Sequence, residues 1–383
     1  MKRRICVVVT ARPSYARIKS ALVAIKAHPK LELQLVVAAS ALLDRYGSTI
    51  DVIRADGFEP DARVYMLVEG ENLVTGVKST GMGIMELATI FDNLQPDAVL
   101  SIADRYETIA TAIAGSYMNI PVVHVQGGEV TGSIDEKVRH AVTKLADLHL
   151  VSNEQAARRV LGMGEYPERI HVTGCPSIDL AAQIVHSNRI VDPVYLQRGV
   201  GASLPSERPY MIVMQHPVTY EWGHAEAQIA ATLSAVSAVG LPTYWFWPNV
   251  DAGSDSASRA IRRFREHHAD NTIRFLKNMP PEEFLSLLRQ ASCLVGNSST
   301  GIRESAYLGT PVVNIGSRQA GRDRGRNVID ASYDAAEIER AIRSQLAHGP
   351  YGRDHIYGDG KAGQRMADLL AETEFSIEKR ITL

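Results

Sequence analysis

The 383-residue chain carries 41 Lys and Arg against 43 Asp and Glu, a formal charge of −2, and 45% of its residues are apolar. That length exceeds what one hydrophobic core usually spans, so two well-packed domains are expected. The near-neutral charge argues against nucleic acid and against an anionic membrane surface as partners, and an anionic ligand has to be met by local arginines.

The opening Met1-Lys2-Arg3-Arg4 and its apolar run begin like a signal peptide, but Ala11-Arg12-Pro13 ends the run too early for an h-region or a membrane span. It reads instead as the first strand, 5–10, of a parallel sheet. Further strands are expected at 33–39, 64–67, 98–103, 122–126, 148–152 and 170–173. Residues 175–209 mix a short helix with Gly, Pro and Ser and show no strand signal, as a link between domains would. A second series follows at 210–215, 243–247, 272–275, 293–296, 311–315 and 327–329. Strands alternating with helical patterns mark parallel βα units. The expected fold is therefore α/β, with two Rossmann-like doubly wound domains, 1–180 and 181–365. A terminal segment, 366–383, including the end of a helix expected from 362 to about 374, returns to the first domain. Such a pair presents the carboxyl ends of both sheets to a cleft suited to a two-part ligand, a nucleotide and a sugar. Cys6, Cys175 and Cys293 lie in or beside apolar runs with no paired spacing, which fits a reduced cytoplasm and neither zinc nor a disulfide framework.

Chemistry is expected in the loops after strands. Thr10-Ala11-Arg12-Pro13-Ser14-Tyr15-Ala16-Arg17 lacks the Gly-x-Gly-x-x-Gly of a dinucleotide turn, which disfavours NAD and FAD in their usual mode. Arg12 and Arg17 instead place two guanidinium groups at a helix N-terminus, as a phosphate cradle or as solvated charge. Asp104, in Ala103-Asp104-Arg105, is placed to cap the next helix or to move a proton. The run His124-Val125-Gln126-Gly127-Gly128-Glu129 leads into a helix over 135–146, with Asp135 near its start and Arg139 and His140 one turn deeper. Glu129 and Asp135 then fall at one sheet edge, although a helix dipole by itself favours an acidic first turn.

In the second half, His216 ends a strand and is either structural or a bridge to a ligand across the domains. Trp245-Phe246-Trp247 reads as core or as a base-stacking platform, with Asn249 and Asp255 the better binding candidates of that loop. Gly296-Asn297-Ser298-Ser299-Thr300-Gly301-Ile302-Arg303-Glu304 puts hydroxyls and free backbone amides at a helix start, an anion nest for a diphosphate or a plain Ser/Thr cap. Glu304, one to two turns in, can accept both hydroxyls of a ribose. The loop around Arg318, Arg322, Arg324 and Arg326 is solvated charge or a cover for phosphates.

As a set, Asp104-Arg105, Gly127-Gly128-Glu129 with Ile134-Asp135 and Arg139-His140, His216-Pro217-Val218-Thr219, Pro248-Asn249 with Asp251-Ala252-Gly253-Ser254, and Gly296-Asn297-Ser298-Ser299 with Gly301-Ile302-Arg303-Glu304 form a pattern that spans nearly the whole chain. In order and spacing it resembles the hydrolysing UDP-N-acetylglucosamine 2-epimerases of the sialic acid and legionaminic acid precursor branch. The resemblance implies a glycosyltransferase B-like pair of domains, a UDP-sugar substrate held mainly by the second, no metal or nicotinamide cofactor, and a homodimer. By the same resemblance Arg12, Arg105, His216, Asn249, Asp255, Ser298, Ser299, Glu304 and Arg318 are nucleotide-sugar ligands, and Asp104, Asp135 and Arg139 lie near the sugar.

Three positions depart from the pattern. Ala103 stands where the family often has glycine, Arg17 where it often has lysine, and Gln126 where UDP-N-acetylglucosamine enzymes tend to carry a catalytic glutamate. Glutamine cannot serve as a base. Either Asp104, Glu129 and Asp135 carry the proton transfers, or the sugar differs. The branch acting on UDP-2,4-diacetamido-2,4,6-trideoxyglucose is also similar, including Trp247-Pro248-Asn249 and Lys277-Asn278. The expected reaction is elimination of UDP to a glycal, then hydration to N-acetylmannosamine. Arg12, Arg17 and Arg318 would steady the leaving diphosphate and His216 would orient it. Its rivals are the same reaction on the diacetamido sugar, a non-hydrolysing epimerase, a retaining B-type glycosyltransferase and a silent nucleotide-sugar sensor.

Overall fold

The structure, a computed structural model, describes residues 1–44, 47–70, 72–105, 107–131, 134–204, 209–221, 223–248, 254–267, 272–277 and 279–382, without the side chains of Thr219, Ser254, Asp255 and His267. Contacts divide it into one unit of Met1–Glu129, Ile134–Leu180 and Tyr357–Leu383, and another of Val130–Ser133 and Ala181–Ile356.

The first unit is built on β1 Arg3–Val9, β2 Leu31–Ala38, β3 Ala62–Val64, β4 Ala98–Ile102, β5 Val122–Val125, β6 Leu148–Val151 and β7 Ile170–Val172. They form one sheet in the order β3-β2-β1-β4-β5-β6-β7, and every pairing is parallel. A parallel sheet with helices on both faces buries both sides of its strands. β1 shows this residue by residue: Ile5, Val7 and Val9 join one core with Ile18, Leu22 and Ile25, while Cys6 and Val8 join another with Leu87, Phe91 and Ala110. Each of the Val, Leu, Ile and Phe side chains among them contributes about 1.5–3 kcal/mol when fully buried.

The helix Ala362–Glu372 returns to this unit, with Met366, Ala367 and Leu370 completing the first of those cores. Gly363 makes the approach possible, because a Cβ there would stand 2.6 Å from the Ser20 backbone. Asp179 ties the helix start down by accepting from the Ala362 and Gly363 amides at 2.9 and 2.7 Å and from the Ser20 hydroxyl at 2.8 Å.

The second unit contains β8 Val200–Gly201, β9 Met211–Met214, β10 Thr243–Phe246, β11 Ile273–Leu276, β12 Cys293–Gly296, β13 Val312–Ile315 and β14 Val328–Ala331, in the order β14-β13-β12-β9-β10-β11-β8. All pairings are parallel except β8 with β11. Trp245 is fully buried against Phe275 and Trp247 packs on the same ring, so the aromatic run is core, as its pattern indicates.

Several strand bounds shift by a residue or two, and some local expectations change further. The third strand occupies Ala62–Val64 rather than 64–67, with the paired stretch fixed by Val36, Val37 and Ala38 of β2. The last begins one residue later than expected and runs to Ala331. The stretch 175–209 is more ordered than a linker: it holds the twelve-residue helix Pro176–Ser187, the short helix Pro193–Gln197 and the edge strand β8. Two residues carry too little periodicity to be read as a strand, and β8 exists because Arg274 and Phe275 offer it a ladder. No helix among the described residues is long and apolar enough to cross a membrane.

Candidate functional site

In a doubly wound sheet the crevice opens where the strand order reverses. In the first unit that place lies between β1 and β4, and the loops leaving these two strands carry Arg12, Arg17, Asp104 and Arg105. Buried Asp104 is held from two sides. Arg17 Nη1 lies 3.3 Å from its Oδ1, and Arg139 Nη2 donates to its Oδ2. Arg139, fully buried, also donates to the Glu129 carbonyl at 2.7 Å and to Glu136 at 2.9 Å. The helix that supplies it, Asp135–Leu145, starts at half-buried Asp135 as expected. Its neighbour His140 pairs with Glu136 at 3.0 Å.

The capping alternative for Asp104 does not hold. The next helix, Thr108–Tyr117, is preceded by Glu107 at the cap position, and Glu107 is instead bonded to Arg105 Nε at 2.7 Å. Arg17 lies between two helices, ending Arg12–Ala16 and standing two residues before Lys19–Ala27, and it is turned to Asp104. Arg12 alone opens that helix. Burial, together with the nearby Arg105 charge, pulls its guanidinium down to about 10.

The turn after β5 behaves differently from an acidic site. Gln126 is buried in the left-handed region at φ 67° and donates through Nε2 to Cys175 Sγ at 2.9 Å; that sulfur lies 3.0 Å from the Ser177 hydroxyl. Gly128 has φ 74°, and a Cβ on it would stand 2.2 Å from the Ala156 carbonyl oxygen, so only glycine passes there. Glu129 Oε1 accepts from the Ser152 hydroxyl at 2.9 Å. The structure thus brings Arg17, Asp104 and Arg139 together, while the Glu129 carboxylate and the Gln126 amide are bonded to the loops after β6 and β7.

In the second unit the order reverses between β9 and β12, whose following loops carry His216 and Asn297. Asn297 is buried and clamps the backbone of His216 from both ends: Oδ1 accepts from its N–H at 2.7 Å and Nδ2 donates to its carbonyl at 2.8 Å. The Asn297 carbonyl accepts from Arg318 at 3.2 Å and from Gln319 at 2.9 Å. Gly296, at φ 130°, lets the two strands approach; a Cβ would stand 2.2 Å from Met214 O.

The serine run is not the start of a long helix. Ser299–Gly301 is one 3₁₀ turn, and a separate five-residue helix, Glu304–Leu308, begins at Glu304. The amides of Gly301, Ile302 and Arg303 are bonded to Ser298 and Ser299 carbonyls, and that of Thr300 to Ser298 Oγ. The amides of residues 300–303 are thus used within the turn and are not offered to an anion, and the hydroxyl side chains of Ser298, Ser299 and Thr300 are half-buried. Glu304 is buried, and its Oε2 has no hydrogen-bond partner among the described residues. Asn249 lies outside the described residues, as does the side chain of Asp255, while Asn278 of the Lys277-Asn278 segment is also outside them. Among the described residues no three His, Cys, Asp or Glu side chains converge as metal ligands. Residue-type reasoning overlooked Asn297, whose neighbours Gly296 and Ser298 drew the attention, and it overlooked Glu107 and Glu136, which look like surface charge in sequence.

A family model described as UDP-N-acetylglucosamine 2-epimerase matches residues 23–371. The chain is 32% identical to the UDP-N-acetylglucosamine 2-epimerase of Neisseria meningitidis serogroup B, over 98% of this chain and 96% of that protein. It is equally, at 32%, identical to the UDP-N,N'-diacetylbacillosamine 2-epimerase (hydrolyzing) of Legionella pneumophila, over 97% and 96%. The crystal structure of UDP-GlcNAc 2-epimerase from Neisseria meningitidis bound to UDP-GlcNAc shares its fold with a TM-score of 0.79 at 14% identity, covering 97% of this chain and all of that one.

Proposed function

From the premise that the chain belongs to the UDP-N-acetylglucosamine 2-epimerase family, we propose that it is a hydrolysing 2-epimerase converting UDP-N-acetylglucosamine to UDP and free N-acetylmannosamine. The observation that carries the reading is Asp104, a buried carboxylate held between Arg17 and Arg139 at the strand-order reversal of the first unit. A carboxylate fixed there is a base with a defined direction.

The reaction runs in two steps. A carboxylate takes the proton from C2, the C2–H electrons form the C1–C2 double bond, and the C1–O bond breaks with its electrons passing to UDP. Water then adds across the glycal: its oxygen bonds C1 and a proton returns to C2 from the opposite face. Asp104 and Asp135 are assigned these transfers, with Glu129 in support. In the second unit, the Ser298 and Ser299 hydroxyls and Arg318 stabilise the diphosphate, His216 orients it, and Glu304 accepts from the ribose hydroxyls. Arg12, Arg17 and Arg105 supply further positive charge for the anionic substrate. Stabilisation of the leaving charge is usually the largest single contribution to such a rate.

A second reading has its own observation. Gln126 is an amide bonded to Cys175 and cannot serve as a base, and the Legionella relative named as acting on UDP-N,N'-diacetylbacillosamine is as similar as the Neisseria one. The experiment is incubation with each UDP-sugar in deuterated water and product analysis by NMR. Free mannosamine-type sugar with deuterium at C2 is the expected product. A UDP-linked epimer would identify a non-hydrolysing enzyme, and protium at C2 would rule out the elimination.

A further inference from the structure

Ala103, directly before Asp104, sits in the left-handed region at φ 62° without being glycine. A Cβ disfavours that conformation, so something in the surroundings has to hold it. Two hydrogen bonds from the neighbouring strand do so. The Ala103 amide donates to the Val125 carbonyl at 2.9 Å, and the Ala103 carbonyl lies 2.9 Å from Nε2 of His124. A carbonyl only accepts, so Nε2 carries the hydrogen; Nδ1, 3.0 Å from the Thr143 hydroxyl, accepts from it. His124 is fully buried, and burial pulls its imidazole down to about 3, which leaves the ring neutral near neutral pH. It is therefore a fixed donor rather than an acid or base. Gly127 leaves space for the ring, since a Cβ there would stand 2.9 Å from Nδ1 and 3.0 Å from the Thr143 oxygen.

We infer that His124 is a positioning residue for the reaction: by bonding the Ala103 carbonyl it keeps the chain left-handed at that point and so aims the Asp104 carboxylate between Arg17 and Arg139. Without that donor the Ala103 carbonyl is buried and unsatisfied, and the peptide gains by turning to the extended region, which redirects Asp104. The inference rests on the reading of Asp104 as a proton-transfer group, and the test separates the two.

The test is a double-mutant cycle between His124→Leu and Ala103→Gly, with kcat and KM for UDP release, thermal midpoints to verify folding, and crystal structures of the variants. Glycine adopts positive φ without penalty, so it removes most of the need for the donor. His124→Leu is expected to lower kcat at least about thirty-fold with KM nearly unchanged, and this loss is expected to shrink about ten-fold in the Ala103→Gly background. His124→Asn, which retains a donor of shorter reach, should recover part of the rate, and it carries the same cycle if the leucine variant does not fold. Equal losses in both backgrounds would mean that the ring only packs, and would overturn the inference. So would a His124→Leu structure with φ of residue 103 still near 60° and the Asp104–Arg139 pair intact. If the backbone turns and the pair breaks while kcat stays at the wild-type value, the structural role of His124 stands and the assignment of Asp104 falls.

Discussion

Asn297 and His216 are joined by two hydrogen bonds, from the His216 amide to Asn297 Oδ1 at 2.7 Å and from Asn297 Nδ2 to the His216 carbonyl at 2.8 Å, so one amide side chain ties together the loops after β9 and β12. Removing it strands a buried donor and a buried acceptor. Asn297→Ala should lower the unfolding free energy by about 2–4 kcal/mol, two buried groups at about 1–3 kcal/mol each with partial relaxation. Denaturant unfolding measures it. UDP affinity should fall with it, and an unchanged unfolding midpoint would show that the clamp carries no energy.

Asp104→Asn keeps the shape and one hydrogen bond to Arg139 but loses the base. UDP release is expected to fall by about 10²–10⁴-fold, the usual worth of a positioned proton-transfer group. Circular dichroism should remain native, because Arg139 keeps its bonds to the Glu129 carbonyl and Glu136. A wild-type rate would remove Asp104 from the mechanism.

Glu304→Ala tests the nucleotide side. Hydrogen bonds to a charged acceptor contribute about 1.5–3 kcal/mol, so UDP should bind about ten- to hundred-fold more weakly by calorimetry. Binding of UDP at the wild-type affinity would take Glu304 away from the ribose.

Acid should destabilise the first unit in two stages. The buried His124 imidazole is pulled from 6.5 to about 3 by desolvation, so between these values the unfolded chain binds a proton that the folded chain refuses. Stability is then fully present above about pH 6.5 and falls as pH drops toward 3, by up to about 1.4 kcal/mol per pH unit. Burial raises the Glu165 carboxyl, but hydrogen bonds from His149, Lys144 and Lys379 outweigh it and hold the group at about 2 against an ordinary 4.5. Its contribution is lost as pH falls from about 4.5 to 2. Unfolding free energies at pH 7, 6 and 5 should show the first stage, and His124→Asn should flatten it by about one such slope.

Much of the fold is readable because parallel strands are short apolar runs. Ile5 to Val9, Val122 to Val125 and Cys293 to Gly296 are bounded by turns or polar loops and meet both helical layers, so burial on both faces is written into their composition. β8 is the opposite case: Val200 and Gly201 are exposed, and their pairing comes from β11 alone. The serine run misled for a related reason. Ser and Thr favour helix starts in general, but Thr300 and Gly301 close a single 3₁₀ turn because Ser298 captures their amides.

The residue types needed for the chemistry, the glycines at Gly127, Gly128 and Gly296, and the family itself are properties of the sequence, since each is a local pattern or an ordered set of them. Which partner each side chain takes is not. Asp104 meets Arg17 from 87 positions away and Arg139 from 35 positions away. Gln126 turns to Cys175, 49 positions on. The Arg17–Asp104 pairing follows from the sheet order, in which β1 lies beside β4 and their loops leave at the same reversal point, while the other two join segments that follow β4, β5 and β7. Local propensity acts over one or two turns, whereas burial forces a charged or polar group to bond whatever the tertiary fold brings within reach.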